Sequence, residues 1–428
     1  MNVLLIGSGG REHALAWKIK QSPWCDQLWV APGNPGIAEV AEVLSIPALD
    51  FVSLGKACLE KEISLVVVGP EAPLVEGLRD YFESDPLLRQ VAMVGPGKAG
   101  AQLEGSKDFS KQFMLRYGIP TAKAITITPD TLPTGLAYLK QCSLPIVLKA
   151  DGLAAGKGVL ICQTLREAEA ELRAMVEDQK FGAASSKVLI EEFLSGIELS
   201  VFVLTDGEGY VILPEAKDYK RIGDHDTGLN TGGMGAVSPV PFATPAFLKK
   251  VEDRIIKPTL EGLRKEQIPY QGFIFIGLMS VNDEPYVIEY NARMGDPETQ
   301  SVMSRIESDF LELLIACGNK SLAGKVIKIK NEHAVTVVLA SGGYPGEFSK
   351  GHPIELTPGE ARVFHAGTRL RGTQLITDGG RVLGVTGMGH TLTEAQKQAY
   401  ATVSKIRWEG VTFRLDIGND LHSGPITK

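Results

Sequence analysis

Pro145-Ile146-Val147-Leu148-Lys149-Ala150-Asp151-Gly152-Leu153-Ala154-Ala155-Gly156-Lys157-Gly158-Val159-Leu160 sets a run of small residues between two apolar segments. The pattern predicts a β-hairpin with a pliable tip and a lysine at its root. It is not a Walker A loop, because neither lysine is followed by Ser or Thr and because a strand comes next, not a helix. A tip of this composition suits closure over phosphates through backbone N–H groups. Further on, residues 187–194 form a strand that ends in Glu191-Glu192-Phe193-Leu194. Taken alone, the paired glutamates read equally well as a solvated strand end or as part of a site.

Two more clusters lie downstream. Residues 218–236 carry Asp218, Lys220, Arg221, Asp224 and Asp226, and five glycines fall within residues 223–236. The stretch is too poor in apolar residues to be expected in a core. Long Gly- and Asp-rich loops inside compact domains are functional or disordered, and the mixed charge favours an ordered substrate loop. The second cluster is Tyr286-Val287-Ile288-Glu289-Tyr290-Asn291-Ala292-Arg293-Met294-Gly295-Asp296-Pro297-Glu298. On a strand Glu289 and Asn291 share a face. One anionic and one neutral oxygen donor suit a Mg²⁺ that leaves its other positions to water and phosphate. Arg293 follows on the same alternation with a planar fork for a carboxylate or phosphate. Asp296-Pro297 reads as the N-cap and first residue of a helix running to about residue 306. A charged strand edge followed by an ordinary cap is the competing account.

Upstream, strands are expected at residues 3–6, 28–30, 65–68 and 91–94, each ending in a glycine loop. That alternation predicts a doubly wound parallel sheet with its loops gathered at the strand carboxyl ends. Gly7-Ser8-Gly9-Gly10-Arg11-Glu12-His13 follows the first strand. Dinucleotide binding fails there: Glu12 replaces the third glycine, and the second strand ends in Ala31-Pro32 with no acid for a ribose hydroxyl. A phosphorylated small molecule at Gly9, Gly10 and Arg11 and a simple packing turn both remain open. Ser106 caps a helix whose stripe includes Phe109, Phe113 and Met114, with Gly118 and Pro120 as its stop. Short strands after about residue 328, and a helix at 392–406, suggest a separate C-terminal α+β domain.

The 428 residues suffice for several domains. Lys+Arg total 44 and Asp+Glu 51, a net charge of −7. That balance lacks the field of a non-specific nucleic-acid binder. No apolar run approaches the ~18–20 residues of a membrane span. The five cysteines are scattered without a CxxC pair, which fits a reducing, cytoplasmic setting.

Four clusters in register resemble the ATP-grasp superfamily across essentially the whole chain. They are Gly7–Ala14, Lys149–Val159, Asn230-Thr231-Gly232-Gly233-Met234-Gly235-Ala236 and Arg293-Met294-Gly295-Asp296-Pro297-Glu298. The last two are most similar to the ligases that join glycine to 5-phosphoribosylamine at the expense of ATP, in purine biosynthesis. The resemblance implies an ATP-grasp domain at 106–328 with 121–195 as a mobile lid. An N-terminal α/β domain at 1–105 precedes it and a C-terminal domain at 329–428 follows. It gives ATP phosphates to Lys107 and Lys149 under the loop Gly152, Gly156, Lys157 and Gly158. Adenine goes to the backbone around Glu191, Glu192, Phe193 and Leu194, and the ribose to Glu198. Mg²⁺ or Mn²⁺ falls to Glu289 and Asn291. Lys149, Arg293 and Asp218 take the catalytic roles, with Gly9, Gly10, Arg11, Gly232, Gly233, Gly235, Gly295 and Asp296 around the substrates. A monomer is implied, in transient contact with the enzyme that supplies the amine. Leu229 and Met294 depart from the family's usual residues and affect loop conformation only. A biotin-carboxylase-type enzyme shares the fold, but the Asn230–Ala236 and Arg293–Glu298 runs speak against it. An inactive nucleotide-binding protein would have lost Lys149, Glu289, Asn291 or Arg293.

Overall fold

The computed structural model describes residues 1–152 and 158–422. Gly156 and Lys157 lie outside the described residues. The chain opens with five parallel strands, Asn2–Gly7, Gln27–Pro32, Glu42–Val43, Leu65–Val68 and Ala92–Val94. Their spatial order is third, second, first, fourth, fifth. Val3, Leu4, Leu5 and Ile6 are fully buried, as strands covered on both faces require. The order reverses beside the first strand, so the loop after Gly7 opens onto the crevice where such sheets bind ligands. The strand Glu42–Val43 was not expected. It is a two-residue exposed edge with no apolar run to announce it.

Two antiparallel sheets of four strands follow. One orders Tyr210–Ile212, Ile197–Thr205, Gly272–Val281 and Glu284–Asn291; the other orders Ala124–Ile127, Val188–Glu192, Ile146–Ala150 and Val159–Cys162. The helix Lys107–Arg116 bridges them, and Ser106 Oγ accepts from Phe109 N at its start, as expected. Val287 N donates to Pro120 O at 2.8 Å, and Thr121 Oγ1 donates to Val287 O at 2.8 Å. The second sheet is therefore fastened at its entry to the strand that carries Glu289 and Asn291.

The last sheet corrects an expectation. Its order is Lys217–Asp218, Gly235–Ser238, His333–Ala340, Arg381–Gly389 and Arg362–His365. Two of the five strands thus overlap the two ends of the Gly- and Asp-rich stretch that looked too polar for a core. Met234 through Ser238 are buried. Small residues serve because the strand is packed tightly: a Cβ on Gly235 would lie 2.6 Å from Ile417 Cδ1. The helix Leu392–Val403 covers this sheet and ends before Ile406, which enters the short strand Ile406–Arg407.

The first and last sheets touch through the amino-terminal motif. His365 N donates to His13 Nδ1 at 2.8 Å, and Asn34 Nδ2 donates to both Ser8 O and His365 O at 2.8 Å. Burial, then the neighbouring His365 and Arg362, lowers the His13 pKa to about 3; burial lowers that of His365 to about 4. Both imidazoles are neutral at pH 7. No described helix is long and apolar enough to cross a membrane.

Candidate active site

The strand Glu284–Asn291 brings the clusters together. Lys149, on the neighbouring sheet, donates from Nζ to Ile288 O at 3.2 Å and pairs with Glu191 Oε2 at 2.7 Å. Glu191 is not a solvated strand end. Its second oxygen lies 3.1 Å from Lys111 Nζ, which also donates to Thr121 Oγ1 and Ala122 O. Burial pushes the Glu191 carboxyl up, but Lys149 and then Lys111 outweigh it and hold it below the usual range. One carboxylate shared by two lysines leaves a net positive charge. Lys107 Nζ donates to Gly152 O at 2.8 Å, and burial lowers its pKa against the pull of nearby Glu289. Phe193 is 40% exposed at the end of the strand Val188–Glu192, whereas Glu192 Oε1 accepts from Lys123 N.

The opposite wall is acidic. Glu198, Asp218, Lys220 and Glu289 line a recess with Ser200 and Gly277 at its base. Lys220 Nζ pairs with Glu198 Oε2 at 2.8 Å, and both side chains keep about 40% exposure. Lys220 lowers the Glu198 pKa. Burial outweighs the lysines at Asp218 and raises its pKa. Burial and then the Asp218 charge push the Glu298 carboxyl up to about 8, well above the usual carboxylate range. Gly295 makes room for it: a Cβ there would lie 2.4 Å from Glu298 Oε2.

Several assigned side chains have partners that sequence reasoning missed. The Arg293 fork is not free: it meets Glu104 at 2.7 Å, Glu71 at 3.2 Å and Asn291 Oδ1 at 3.2 Å. Burial disfavours the guanidinium, but Glu104 and Glu71 more than compensate and raise its pKa. Glu71 sits in the Gly69-Pro70-Glu71 strand end, so its loop was a visible signal; Glu104 had none. Arg11 is buried, donates to Met294 O at 3.2 Å and pairs with Glu12. Gly9 N donates to Glu12 Oε2 at 2.6 Å, which occupies one amide expected to meet a phosphate. Glu12 also explains the missing third glycine, since its side chain fills the space beside Gly7 and Gly69.

Asp296 is not the helix cap. The helix is Glu298–Arg305 with Pro297 before it, and the Asp296 carboxylate accepts from Gln300 Nε2 at 2.9 Å and faces Arg381 at 3.5 Å. Those partners hold the side chain away from the helix amides. Gly232 and Gly233 contact the same Arg381, whereas Gly235 is inside the buried strand.

Glu289 makes no ion pair among the described residues, and Asn291 Oδ1 keeps a lone pair beyond the Arg293 contact. No group of three or more His, Cys, Asp or Glu side chains suited to a metal occurs among the described residues. A carboxylate and an amide oxygen form a hard, incomplete donor set, which fits Mg²⁺ or Mn²⁺ shared with phosphate oxygens.

Family comparisons cover most of the chain. The phosphoribosylglycinamide synthetase N domain matches residues 1–104, the ATP-grasp (A) domain residues 105–299 and the C domain residues 334–420. The chain belongs to the phosphoribosylglycinamide synthetase family. It is an ATP-grasp ligase. The phosphoribosylamine–glycine ligase of Agrobacterium fabrum is 48% identical over 429 residues, 98% of each chain. That of Vibrio cholerae is 46% identical over the same share of each. The crystal structure of the Thermotoga maritima phosphoribosylamine–glycine ligase superposes with a TM-score of 0.85 at 36% identity, covering 97% of this chain and 100% of that one. The biotin carboxylase domain of Hydrogenobacter thermophilus 2-oxoglutarate carboxylase, solved with magnesium ADP and bicarbonate, gives 0.71 at 17% identity over 96% of this chain and 91% of that one. It shares the fold with this synthetase family and no more.

Proposed function

We propose that the chain joins glycine to 5-phosphoribosylamine, giving glycinamide ribonucleotide, ADP and phosphate through a glycyl phosphate intermediate. The observation that carries this reading is that the strand bearing Glu289 and Asn291 receives Lys149 at Ile288 O and borders the carboxylate recess of Glu198 and Asp218 through Ile288 and Glu289. The near-full-length likeness to phosphoribosylamine–glycine ligases supports the choice of substrates.

A carboxylate is a poor acyl donor, and transfer of the ATP γ-phosphoryl group to it supplies a leaving group. Lys107 and Lys149 offset charge on the phosphates while the strand end aligns donor and acceptor. Glu289 and Asn291 would hold a divalent cation, whose role is to neutralise phosphate charge. The amine of phosphoribosylamine then attacks the acyl carbon, phosphate departs, and the nitrogen loses a proton. Arg293, held in place by Glu71 and Glu104, presents a fixed guanidinium edge near the acceptor carboxylate. Gly232, Gly233, Gly295 and Asp296 form the neighbouring substrate surface, and residues 121–195 act as the lid that excludes water from the acyl phosphate. In this reading the protein works as a monomer in the cytoplasm, on an amine passed to it by transient contact with the enzyme that makes it.

The test is ADP release with ATP, Mg²⁺ and glycine, with and without phosphoribosylamine made in situ from ribose 5-phosphate and ammonia. Release that requires both substrates, yields the amide by mass spectrometry and stops with EDTA is expected. Equal turnover with other carboxylates in place of glycine would overturn the assignment.

A further inference from the structure

Two motifs meet at one side chain that neither contains. Arg381 opens a strand of the C-terminal sheet. Its Nη1 donates to Asp296 O at 2.5 Å, Gly232 O at 2.8 Å and Gly233 O at 3.4 Å, while Nη2 lies 3.5 Å from Asp296 Oδ2. Tyr344, from the same part of the chain, accepts at its hydroxyl from Gly232 N at 3.0 Å. Asp296 in turn borders the amino-terminal loop: a Cβ on Gly9 would lie 3.4 Å from Asp296 Oδ2.

The glycines at this junction have a geometric reason. Gly233 has φ +117, and a Cβ on it would stand 2.5 Å from Pro297 Cδ. A Cβ on Gly232 would stand 3.1 Å from Arg381 Cζ. Only bare backbone lets the two loops approach closely enough for one guanidinium to bind carbonyls of both. Its planar set of donors can span two chains that a single ammonium contacts less completely. Gly380 extends the same design, because a Cβ there would fall 2.3 Å from the Tyr344 ring.

We infer that Arg381 is a positioning residue that locks Gly232-Gly233 to Asp296, so that the C-terminal domain shapes the acceptor side of the site before any substrate arrives. The inference rests on the reading above for which substrates are affected, but the loop locking stands apart from it. Arg381 touches neither lysine of the nucleotide wall, so its loss spares nucleotide binding.

The experiment uses the full chain with Arg381→Met, and Arg381→Lys as a conservative variant should the first fold poorly. Hydrogen exchange of the free protein reads the loop without any reaction. Exchange at residues 231–234 is expected to rise roughly tenfold in Arg381→Met, a change of ~1.4 kcal/mol in local opening. Arg381→Lys should recover part of the protection, and peptides spanning 146–150 and 188–192 should not change. In turnover assays KM for glycine and phosphoribosylamine should rise while the dissociation constant of ADP stays put. Unchanged exchange at 231–234, or a rise spread evenly over the chain, would overturn the inference. A wild-type protein that ligates no glycine would overturn the functional reading alone, and the exchange result would still decide the role of Arg381.

Discussion

The two walls of the cleft solve opposite electrostatic problems with similar parts. On the nucleotide side Lys111 and Lys149 share Glu191, so burial is compensated and one positive charge is left over. On the carboxylate side Glu198, Asp218 and Glu298 outnumber Lys220, and burial together with their mutual charge raises the pKa of both Asp218 and Glu298. A buried cluster with spare cations attracts phosphates. One with spare carboxylates costs stability and holds its place only by taking up protons, or a cation when one binds.

The largest break in this contrast comes from Lys149→Met. Removing the cation bonded to Ile288 O should lower kcat/KM for ATP by ~10²–10³-fold, the usual size for losing a preorganised group that stabilises developing charge. Steady-state ADP release reads it, and a fall of less than a few-fold would show that Lys149 serves packing only.

A smaller effect is expected at Lys111. Lys111→Met leaves Glu191 to Lys149 alone, which cancels the excess charge without touching a phosphate-facing group. KM for ATP should rise roughly tenfold, ~1.4 kcal/mol. Adding Glu191→Gln to that variant restores the net charge and should return part of the loss; a double variant worse than the single one would refute the charge account.

A different readout, with the cleanest sign and no effect on nucleotide turnover at its centre, belongs to Glu298. Its carboxyl is raised from 4.5 to about 8 by burial and then by Asp218. Between those values the folded chain holds a proton that the unfolded chain releases. Its contribution to stability is therefore fully present below the unfolded value and is lost as pH rises through the folded one. Glu298→Gln mimics the protonated form, so its melting temperature should fall less between pH 5.5 and 8.5 than that of the wild type. Parallel curves from calorimetry would place the acidic strain elsewhere.

The nucleotide wall was the more legible of the two from sequence. Lys149, the small-residue hairpin and the strand end at Glu289 and Asn291 are local patterns, and each is set by neighbours within a few residues. The partners that complete them are not local. Arg293 finds Glu71, Lys111 finds Glu191, and Arg381 finds Gly232 and Asp296 only after the sheets have stacked. The misread core strand Gly235–Ser238 failed for a related reason: glycine and alanine are buried there by close backbone packing, which carries no hydrophobic signature. Asp296 misled because Asp-Pro before a helix has the composition of a cap, while its side chain is claimed by Arg381 and Gln300.

The mixed ancestry of the last sheet also sets an order on the ribosome. Gly235–Ser238 pairs on one edge with Lys217–Asp218, already made, but on the other with His333–Ala340, which emerges about a hundred residues later. At ~5–20 residues per second that is a delay of roughly 5–20 s during which a newly made strand has an open edge. The glycine-rich composition around it, poor in β-branched and large apolar side chains, keeps that waiting edge a weak template for the wrong neighbour.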